Sequence, residues 1–135
     1  MRAVVDSNVV AYYLLGTPAF ASEAGEFWRR VSDPLAPALW EAELVNVVWM
    51  AARSGVLTPE DAPAKLDYAG QLDIHSVATR TLWRGALRRA LASGVAAYDT
   101  LFVELADRES LALATFDERL LKSFPEIAKR PKDVD

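Results

Sequence analysis

Two short apolar segments, each leading to an acidic residue and then to a helical pattern, place the strongest constraint on the fold. The first is Ala3-Val4-Val5, which ends at Asp6, and the second is Leu111–Ala114, which leads through Thr115 to Asp117. Each segment is long enough for one buried strand and too short for a helix. Short buried strands that alternate with helices are typical of a parallel sheet. The sequence therefore predicts an α/β protein in which these two acids follow strands.

The remaining pattern predicts further helices and short strands around this framework. Helices are expected over about 7–15, 19–31, 38–53, 58–70, 79–92 and 117–122, with another from about 98, and strands over 35–37 and 73–77. Glu126–Ala128 is a poor fifth strand, which leaves the edge of the sheet open. We predict a three-layer fold in which residues 1–135 form a single domain, with a short central parallel sheet flanked by helices.

The composition excludes several classes of protein. The chain has no cysteine, which rules out disulfide scaffolds, cysteine nucleophiles and cysteine-type zinc sites. Its one histidine, His75, lacks the second acid–base group that histidine-based RNA cleavage needs, and no glycine-rich phosphate loop is present. No signal peptide and no membrane-spanning stretch is visible, so we expect a soluble cytoplasmic protein. The formal net charge of −4 argues against a simple nucleic-acid coat protein, which would be basic.

Three acids lie where a helix begins. Asp6 and Asp117 each follow a predicted strand, and ligands of open parallel sheets bind beyond the carboxyl ends of the strands. Each is equally well explained as the N-cap of the next helix. Asp99 opens the helix that follows Gly94, where an acid is favoured by the helix dipole, and by itself it indicates little.

Glu43 is the most informative single residue. Leu39, Val47 and Met50 share its face of the predicted helix by their spacing, so a carboxylate stands on an otherwise apolar stripe. Burying it would be costly without a partner, and Asn46 is a polar neighbour on the same side. The simpler alternative is a residue at the edge of the stripe with its carboxylate in water.

The four acids together predict a metal site. Several carboxylates in one pocket repel each other unless a cation supplies the opposite charge. Magnesium and manganese prefer oxygen ligands and keep some of their waters. One or two such ions would suit phosphodiester hydrolysis, because they activate water and stabilise charge on the phosphate.

Each of the four acids lies in a short segment with a recognisable pattern. The segments are Val5-Asp6-Ser7-Asn8, Glu41–Asn46, Ala97–Phe102 and Thr115–Leu120. They resemble the motifs of the PIN-domain family of nucleases, in the order that the family shows. They span almost the whole chain, and their order makes the resemblance specific although each motif is loose. A stand-alone chain of this size looks most like the VapC-type toxins of bacterial and archaeal toxin–antitoxin pairs.

The resemblance implies a PIN-like fold and an endoribonuclease that depends on Mg²⁺ or Mn²⁺. It also implies an RNA substrate, a homodimer and a small VapB-type antitoxin that blocks the active site. The metal ligands would be Asp6, Asp99 and Asp117, while Glu43 would be a ligand or would orient a metal-bound water.

The same resemblance implies supporting roles for three polar residues near these acids. Ser7 and Thr115 would donate hydrogen bonds to the carboxylates, and Asn46 would be a neighbour of the acid cluster.

The predicted helix over 79–92 has arginines on one side. Arg80, Arg84 and Arg88 lie opposite an apolar stripe that includes Leu82, Ala86, Leu87 and Trp83, and this stripe predicts a core position for Trp83. A solvated helix face is the simpler interpretation of the arginines. The alternative is that they contact the RNA backbone, where phosphate contacts would make affinity salt-dependent.

Two other tryptophans, Trp40 and Trp49, lie on the predicted helix over 38–53. Core packing is the safer interpretation of each. One or both are also candidates for an interface with a second copy or with the antitoxin, since interfaces are enriched in aromatic residues.

Three other functions compete with the nuclease. An aspartate-nucleophile phosphatase also begins with an acid after its first strand, but the second acid that it needs is replaced here by Asn8. A receiver-like domain would bind Mg²⁺ without nuclease activity, but adjacent acids and a lysine near the last strand are not evident. A degenerate PIN domain that only binds partners would not need all four acids.

Overall fold

Five parallel strands form the central sheet of the computed structural model, which describes residues 1–135. The strands lie in the order β3-β2-β1-β4-β5, so the chain extends from β1 to one side and then returns to the other. The order therefore reverses between β1 and β4, and ligands of open α/β sheets bind at such a reversal. The strands are β1 (Arg2–Val5), β2 (Asp33–Pro37), β3 (His75–Val77), β4 (Leu113–Ala114) and β5 (Ala128–Lys129).

Seven helices flank the sheet, which confirms the predicted fold class. Two 3₁₀ turns, Thr79–Thr81 and Pro131–Asp133, complete the regular structure. None of the helices combines the length and the hydropathy that crossing a membrane requires. The helices are α1 (Ser7–Leu15), α2 (Ala21–Arg30), α3 (Leu39–Arg53), α4 (Ala62–Gly70), α5 (Trp83–Ser93), α6 (Ala97–Glu109) and α7 (Glu118–Ser123).

The core is built around β1 and α6. Ala3, Val4 and Val5 are completely buried, because β1 is the central strand and has a neighbour on each edge. Helix α6 packs across β1, β2 and β4, and α5 packs on α6. The buried hydrophobic side chains form one cluster of 29 residues, to which α2 contributes Phe27 and α6 contributes Phe102.

Several predicted boundaries are wrong, each for a local reason. Helix α4 begins at Ala62 instead of Thr58, because residues 58–61 form a turn in which the Thr58 hydroxyl accepts a hydrogen bond from the Asp61 amide at 3.2 Å. Helix α5 begins after a 3₁₀ turn, at Trp83. The poorly supported fifth strand does exist as β5, which pairs with β4 over only two residues.

The predicted apolar stripe of α5 is only half buried. Leu82 and Ala86 are buried, but Trp83 is 55% exposed, Leu87 is 54% exposed and Leu91 is 78% exposed. The reason is that α5 lies outside α6 and packs mainly against it, so that only one narrow edge of α5 is covered. The core position predicted for Trp83 is wrong.

A buried ion cluster joins α5 to α6. Glu104 is 8% exposed, and it accepts hydrogen bonds from Arg89 Nε at 3.0 Å and from Arg108 Nε at 2.6 Å. Gly85 faces this carboxylate, and a Cβ at Gly85 would overlap it. Helices α5 and α6 therefore approach each other closely where Gly85 faces the Glu104 carboxylate, which is paired with two arginines.

Replacing Gly85 with alanine should destabilise the protein although alanine favours helix. The new methyl group would displace a carboxylate that two arginines hold, and overpacking of this kind costs about 1–3 kcal/mol. Urea unfolding measures the loss. Gly70→Ala is the matched control, because Gly70 also lies in a helix and has no atom near the position of a Cβ. If Gly85→Ala changes the free energy of unfolding no more than Gly70→Ala does, the close contact between Gly85 and Glu104 is contradicted.

Replacing Glu104 with glutamine should lower stability in a pH-dependent manner. Burial alone would raise the pKa of Glu104, but the hydrogen bonds and charges of Arg89 and Arg108 hold it below its ordinary value of 4.5. The stability that a carboxylate with a lowered pKa supplies is fully present above the pKa of the unfolded chain, and it is lost as the pH falls through the pKa of the folded protein.

The expected difference between wild type and Glu104→Gln is about 1–3 kcal/mol at pH 7, since charged hydrogen bonds are lost, and it should shrink at pH 3. Denaturant unfolding at both pH values checks this. Glu109→Gln is the control, because Glu109 is exposed on the same helix and forms no ion pair. A Glu104→Gln effect that does not change with pH would rule out the ion pairs as its source.

Candidate active site

Asp6 lies at the point where the strand order reverses, directly after β1. Its Oδ1 accepts a hydrogen bond from the Ser7 amide at 2.8 Å and so caps α1, and its Oδ2 accepts one from the Thr115 hydroxyl at 2.8 Å. The side chain is only 6% exposed. The sequence allowed Asp6 to be either a helix cap or a site residue. In the structure its carboxylate caps α1 and also lines the candidate site.

Asp117 shows the same arrangement after β4. Its amide donates to the Thr115 hydroxyl at 3.0 Å, and its Oδ1 accepts from the amides of Arg119 and Leu120 at 2.8 and 3.1 Å. Asp117 is therefore the N-cap of α7. The completely buried Thr115 hydroxyl links the two strand-end acids through hydrogen bonds.

Glu43 approaches the same place from α3. It is half-buried, and its Oε1 accepts a hydrogen bond from the Ser7 hydroxyl at 2.7 Å. Ser7 thus contacts two acids, since its amide donates to Asp6 and its hydroxyl donates to Glu43. The bond fixes the direction in which the Glu43 carboxylate points.

Asp99 enters from the first turn of α6 and has no hydrogen-bond donor on its carboxylate. It is nevertheless the acid that couples most widely to the others, because its charge raises the pKa of both Asp6 and Glu43. The residue with the weakest support in the sequence is thus central to the electrostatics of the site.

One cavity of about 240 Å³ brings the four predicted acids together. It does not include Asn46, which is exposed and donates to the sulfur of Met50 at 3.6 Å, nor Arg80, Arg84 and Arg88, which belong to the α5 region. The residues that line the cavity are Asp6, Ser7, Asn8, Ala11, Tyr12, Glu43, Val47, Asp99 and Asp117.

The acids destabilise each other's charged forms. Burial, together with the charges of Asp99 and Glu43, raises the pKa of Asp6 to about 7, although the hydrogen bonds from Thr115 and Ser7 act in the opposite direction. Burial and the charge of Asp99 raise the pKa of Glu43. Burial and the charge of Asp117 raise the pKa of Asp99, which the nearby Arg119 only partly offsets.

The site contrasts with the other buried acid of the chain. Glu104 is paired with two arginines, whereas Asp6, Glu43, Asp99 and Asp117 take part in no ion pair. As the side chains stand, no group of three or more histidine, cysteine or acidic residues is placed to hold a metal ion. Chemically, the cavity offers several carboxylate oxygens and lacks a positive charge.

A family model for the PIN domain matches residues 3–128 of the chain. The chain belongs to the PIN-domain family. Its sequence is 33% identical over 132 residues to ribonuclease VapC3 of Pyrobaculum aerophilum, covering 93% of this chain and 96% of the relative. It is also 33% identical over 124 residues to ribonuclease VapC3 of Mycobacterium tuberculosis, covering 92% of this chain and 88% of the relative.

A solved structure shows the same PIN fold. It is the crystal structure of VapBC2 from Rickettsia felis bound to a DNA fragment from their promoter, and the superposition has a TM-score of 0.66. The match covers 96% of this chain and 98% of that chain at 16% sequence identity. At this identity the likeness concerns the fold alone.

Sequence reasoning missed two residues of this PIN-domain site. The Asn8 side-chain amide lies 3.4 Å from Asp6 Oδ2 and 3.4 Å from Thr115 Oγ1, and its Oδ1 accepts from the Phe116 amide at 3.2 Å. Asn8 was given no role in the site, but its place in the first motif was a usable signal. Tyr12 follows it by one helical turn, and that spacing puts both on the cavity side of α1.

Replacing Thr115 with valine should weaken metal binding by this PIN domain more than it weakens the fold. Valine keeps the volume but removes the hydroxyl that orients Asp6 and accepts from the Asp117 amide. Loss of such a supporting group typically costs about 10–100-fold in metal affinity. Calorimetric titration with Mn²⁺ measures the change.

Thr100→Val is the control for this experiment. Thr100 is also completely buried, and its hydroxyl donates to the Ala86 carbonyl at 2.7 Å, away from the cavity. We expect Thr100→Val to lower stability without changing Mn²⁺ affinity. Equal Mn²⁺ affinity in both variants would show that Thr115 does not support the acids.

Proposed function

We propose that this chain is a metal-dependent endoribonuclease that hydrolyses RNA phosphodiester bonds, and that it is the toxin of a toxin–antitoxin pair. Membership of the PIN-domain family and two relatives named ribonuclease VapC3 support this proposal. The structural observation that carries it is the cavity at the strand-order reversal. Four carboxylates line this cavity, and none of them forms an ion pair with a basic side chain. We propose residues 1–135 as a single nuclease domain acting in the cytoplasm.

The donor set fits Mg²⁺ or Mn²⁺. Both ions are hard cations that bind carboxylate oxygens and retain water, so they do not need a cage made entirely of side chains. The raised pKa of Asp6, about 7, indicates a carboxylate in need of an external positive charge. Asp6, Glu43, Asp99 and Asp117 would hold one or two ions. When bound, such an ion activates water and stabilises negative charge on a phosphate.

The chain's own residues would orient the reacting groups. The Ser7 amide and the Thr115 hydroxyl each hold one oxygen of Asp6, so that this carboxylate cannot rotate freely. Glu43, held by the Ser7 hydroxyl, would ligate the ion or orient a water bound to it. Orientation by fixed hydrogen bonds avoids reorganisation during the reaction.

The negative cavity itself sets a condition on the substrate. An RNA phosphate carries a negative charge and would be repelled by four nearby carboxylates. The cavity therefore favours a phosphodiester only when cations neutralise the acids. An acidic site is therefore compatible with a nuclease, provided that bound cations neutralise the carboxylates.

The proposed protein partners are a VapB-type antitoxin and a second copy of the chain. The solved structure with the same fold is of VapBC2 from Rickettsia felis, which is the basis for the antitoxin proposal. Side chains on α3 and α4 offer an apolar surface: Val45, Trp49 and Met50 are each more than half exposed, as is Tyr68. Exposed apolar patches of this kind mark interaction sites. Trp40, by contrast, is buried and donates to the Ser76 hydroxyl at 2.8 Å.

Replacing Asp6 with asparagine tests the catalytic proposal. Asparagine can still accept the Ser7 amide, so the fold should persist while RNA cleavage in Mg²⁺ or Mn²⁺ falls by more than ~100-fold. A random-sequence RNA pool presents every cleavage context, and gel analysis with and without EDTA gives the metal-dependent rate. Asp67→Asn is the matched control, because Asp67 is exposed and forms no ion pair.

Thermal unfolding separates lost chemistry from lost structure. In EDTA, Asp6→Asn should be at least as stable as wild type, because it removes a charge that burial disfavours. Wild type should gain stability on addition of Mn²⁺, and the variant should gain less. Full cleavage by the folded variant would overturn the catalytic proposal. No cleavage even by wild type would favour a receiver-like or degenerate PIN domain that only binds metal or partners.

A further inference from the structure

The outer side of α5 is basic and contains no acid. Residues 79–93 include four arginines, and all 19 acidic residues of the chain lie outside this segment although the net charge is −4. We call this surface the α5 face and define it by five side chains. They are Arg80, Trp83, Arg84, Leu87 and Arg88, and all five are exposed.

Two open cavities adjoin each other on the α5 face. The larger, of about 740 Å³, is lined by Trp83, Arg84, Leu87 and Arg88. The second, of about 490 Å³, shares Arg84 and Arg88 with the first, and its walls also include Gly85 and one acid, Glu104, which is paired with Arg89 and Arg108. The surface is thus a groove whose two cavities are joined by a pair of arginines.

Arg84 and Arg88 are free to bind a ligand. Neither takes part in an ion pair, whereas their neighbours Arg89 and Arg108 are held by Glu104. The guanidinium of Arg80 lies over the Trp83 ring at 5.4 Å from its centre, and Trp83 is nevertheless 55% exposed. The simple interpretation as a solvated helix face does not account for an exposed tryptophan and leucine between the arginines.

We propose that the α5 face binds the backbone of single-stranded RNA outside the cleavage site, with a base stacked on Trp83. The proposal rests on the proposed nuclease function. Unpaired arginines contact phosphates, and aromatic rings between them stack bases without regard to sequence. Arg84 and Arg88 are one helical turn apart, so they can contact neighbouring phosphates along one strand.

Hydrogen bonds hold α5 against α6, the helix that carries Asp99 of the acid cavity. Thr100, which follows Asp99 on α6, donates to the Ala86 carbonyl on α5 at 2.7 Å. The Glu104 cluster fixes the two helices further along. A strand held by α5 would therefore have a fixed position relative to the helix that carries Asp99.

A second copy of the chain fits the α5 face less well. A symmetric dimer places the same surface on both sides of the interface. Here that would bring Arg84 and Arg88 of one copy against arginines of the other, with no acid in the segment to compensate. Like charges that face each other across an interface are unfavourable.

Fluorescence anisotropy of a labelled single-stranded RNA of mixed sequence, measured in EDTA, tests the proposal without cleavage. For Arg84→Gln/Arg88→Gln we expect affinity to fall by about tenfold or more and the salt dependence to weaken by about 0.7 per arginine, the slope of a single-strand phosphate contact. Arg29→Gln/Arg53→Gln is the control, because it removes the same charge elsewhere. Arg53 also lies over an exposed tryptophan, Trp49, at 5.2 Å.

The stacking component is tested separately. Trp83→Ala should weaken RNA binding by about fivefold or more, while Trp83→Phe should keep much of the affinity because phenylalanine still stacks. In cleavage assays, Arg84→Gln/Arg88→Gln should lose more activity on a long RNA than on a short oligonucleotide. The control pair should behave as wild type on both.

The outcomes distinguish this proposal from the nuclease proposal. If wild type binds RNA through the α5 face but cleaves none, only the nuclease proposal fails. If Arg84→Gln/Arg88→Gln binds RNA with wild-type affinity and salt dependence, the α5 face is not an RNA site. If that variant instead changes the molar mass measured by light scattering, the face is an interface between proteins and the proposal is overturned.

Discussion

The hydrogen bond from the Thr115 hydroxyl to Asp6 joins the ends of the two central strands, and the site depends on it. It is buried, spans more than a hundred residues of sequence and lies beside the backbone pairing of β1 with β4, at the point where the strand order reverses. The same hydroxyl accepts from the Asp117 amide, and Asp117 in turn caps α7. One small group therefore orients the Asp6 carboxylate and holds the backbone of the acid that caps α7.

The chain treats its buried acids in two ways. Glu104 is neutralised internally by Arg89 and Arg108 and serves to join two helices. The acids of the cavity form no ion pair with arginine or lysine, which is unfavourable for the isolated fold and favourable for binding a cation. The protein can be stable although these carboxylates repel each other, because the unpaired charge is confined to one end of the sheet.

Much of the fold and of the site could be predicted from the sequence, where the information is local. Asp6 and Asp117 follow apolar segments, and Glu43 interrupts an apolar stripe, so each leaves a pattern. Asp99 leaves none, because its role comes from the way α6 is turned toward the cavity. Trp83 was assigned to the core wrongly, since periodicity indicates a helix face but not whether another element covers it. Strand β5 leaves little pattern because, unlike β4, it does not lie in an apolar segment of four residues.

The contact between Gly85 and Glu104 also has a consequence for how this protein can vary between species. A side chain at position 85 and a carboxylate at position 104 exclude each other, while the two arginines are useful only if the carboxylate is there. We therefore expect substitutions at these four positions to be correlated among homologous sequences. The contact between α5 and α6 would then vary as one unit.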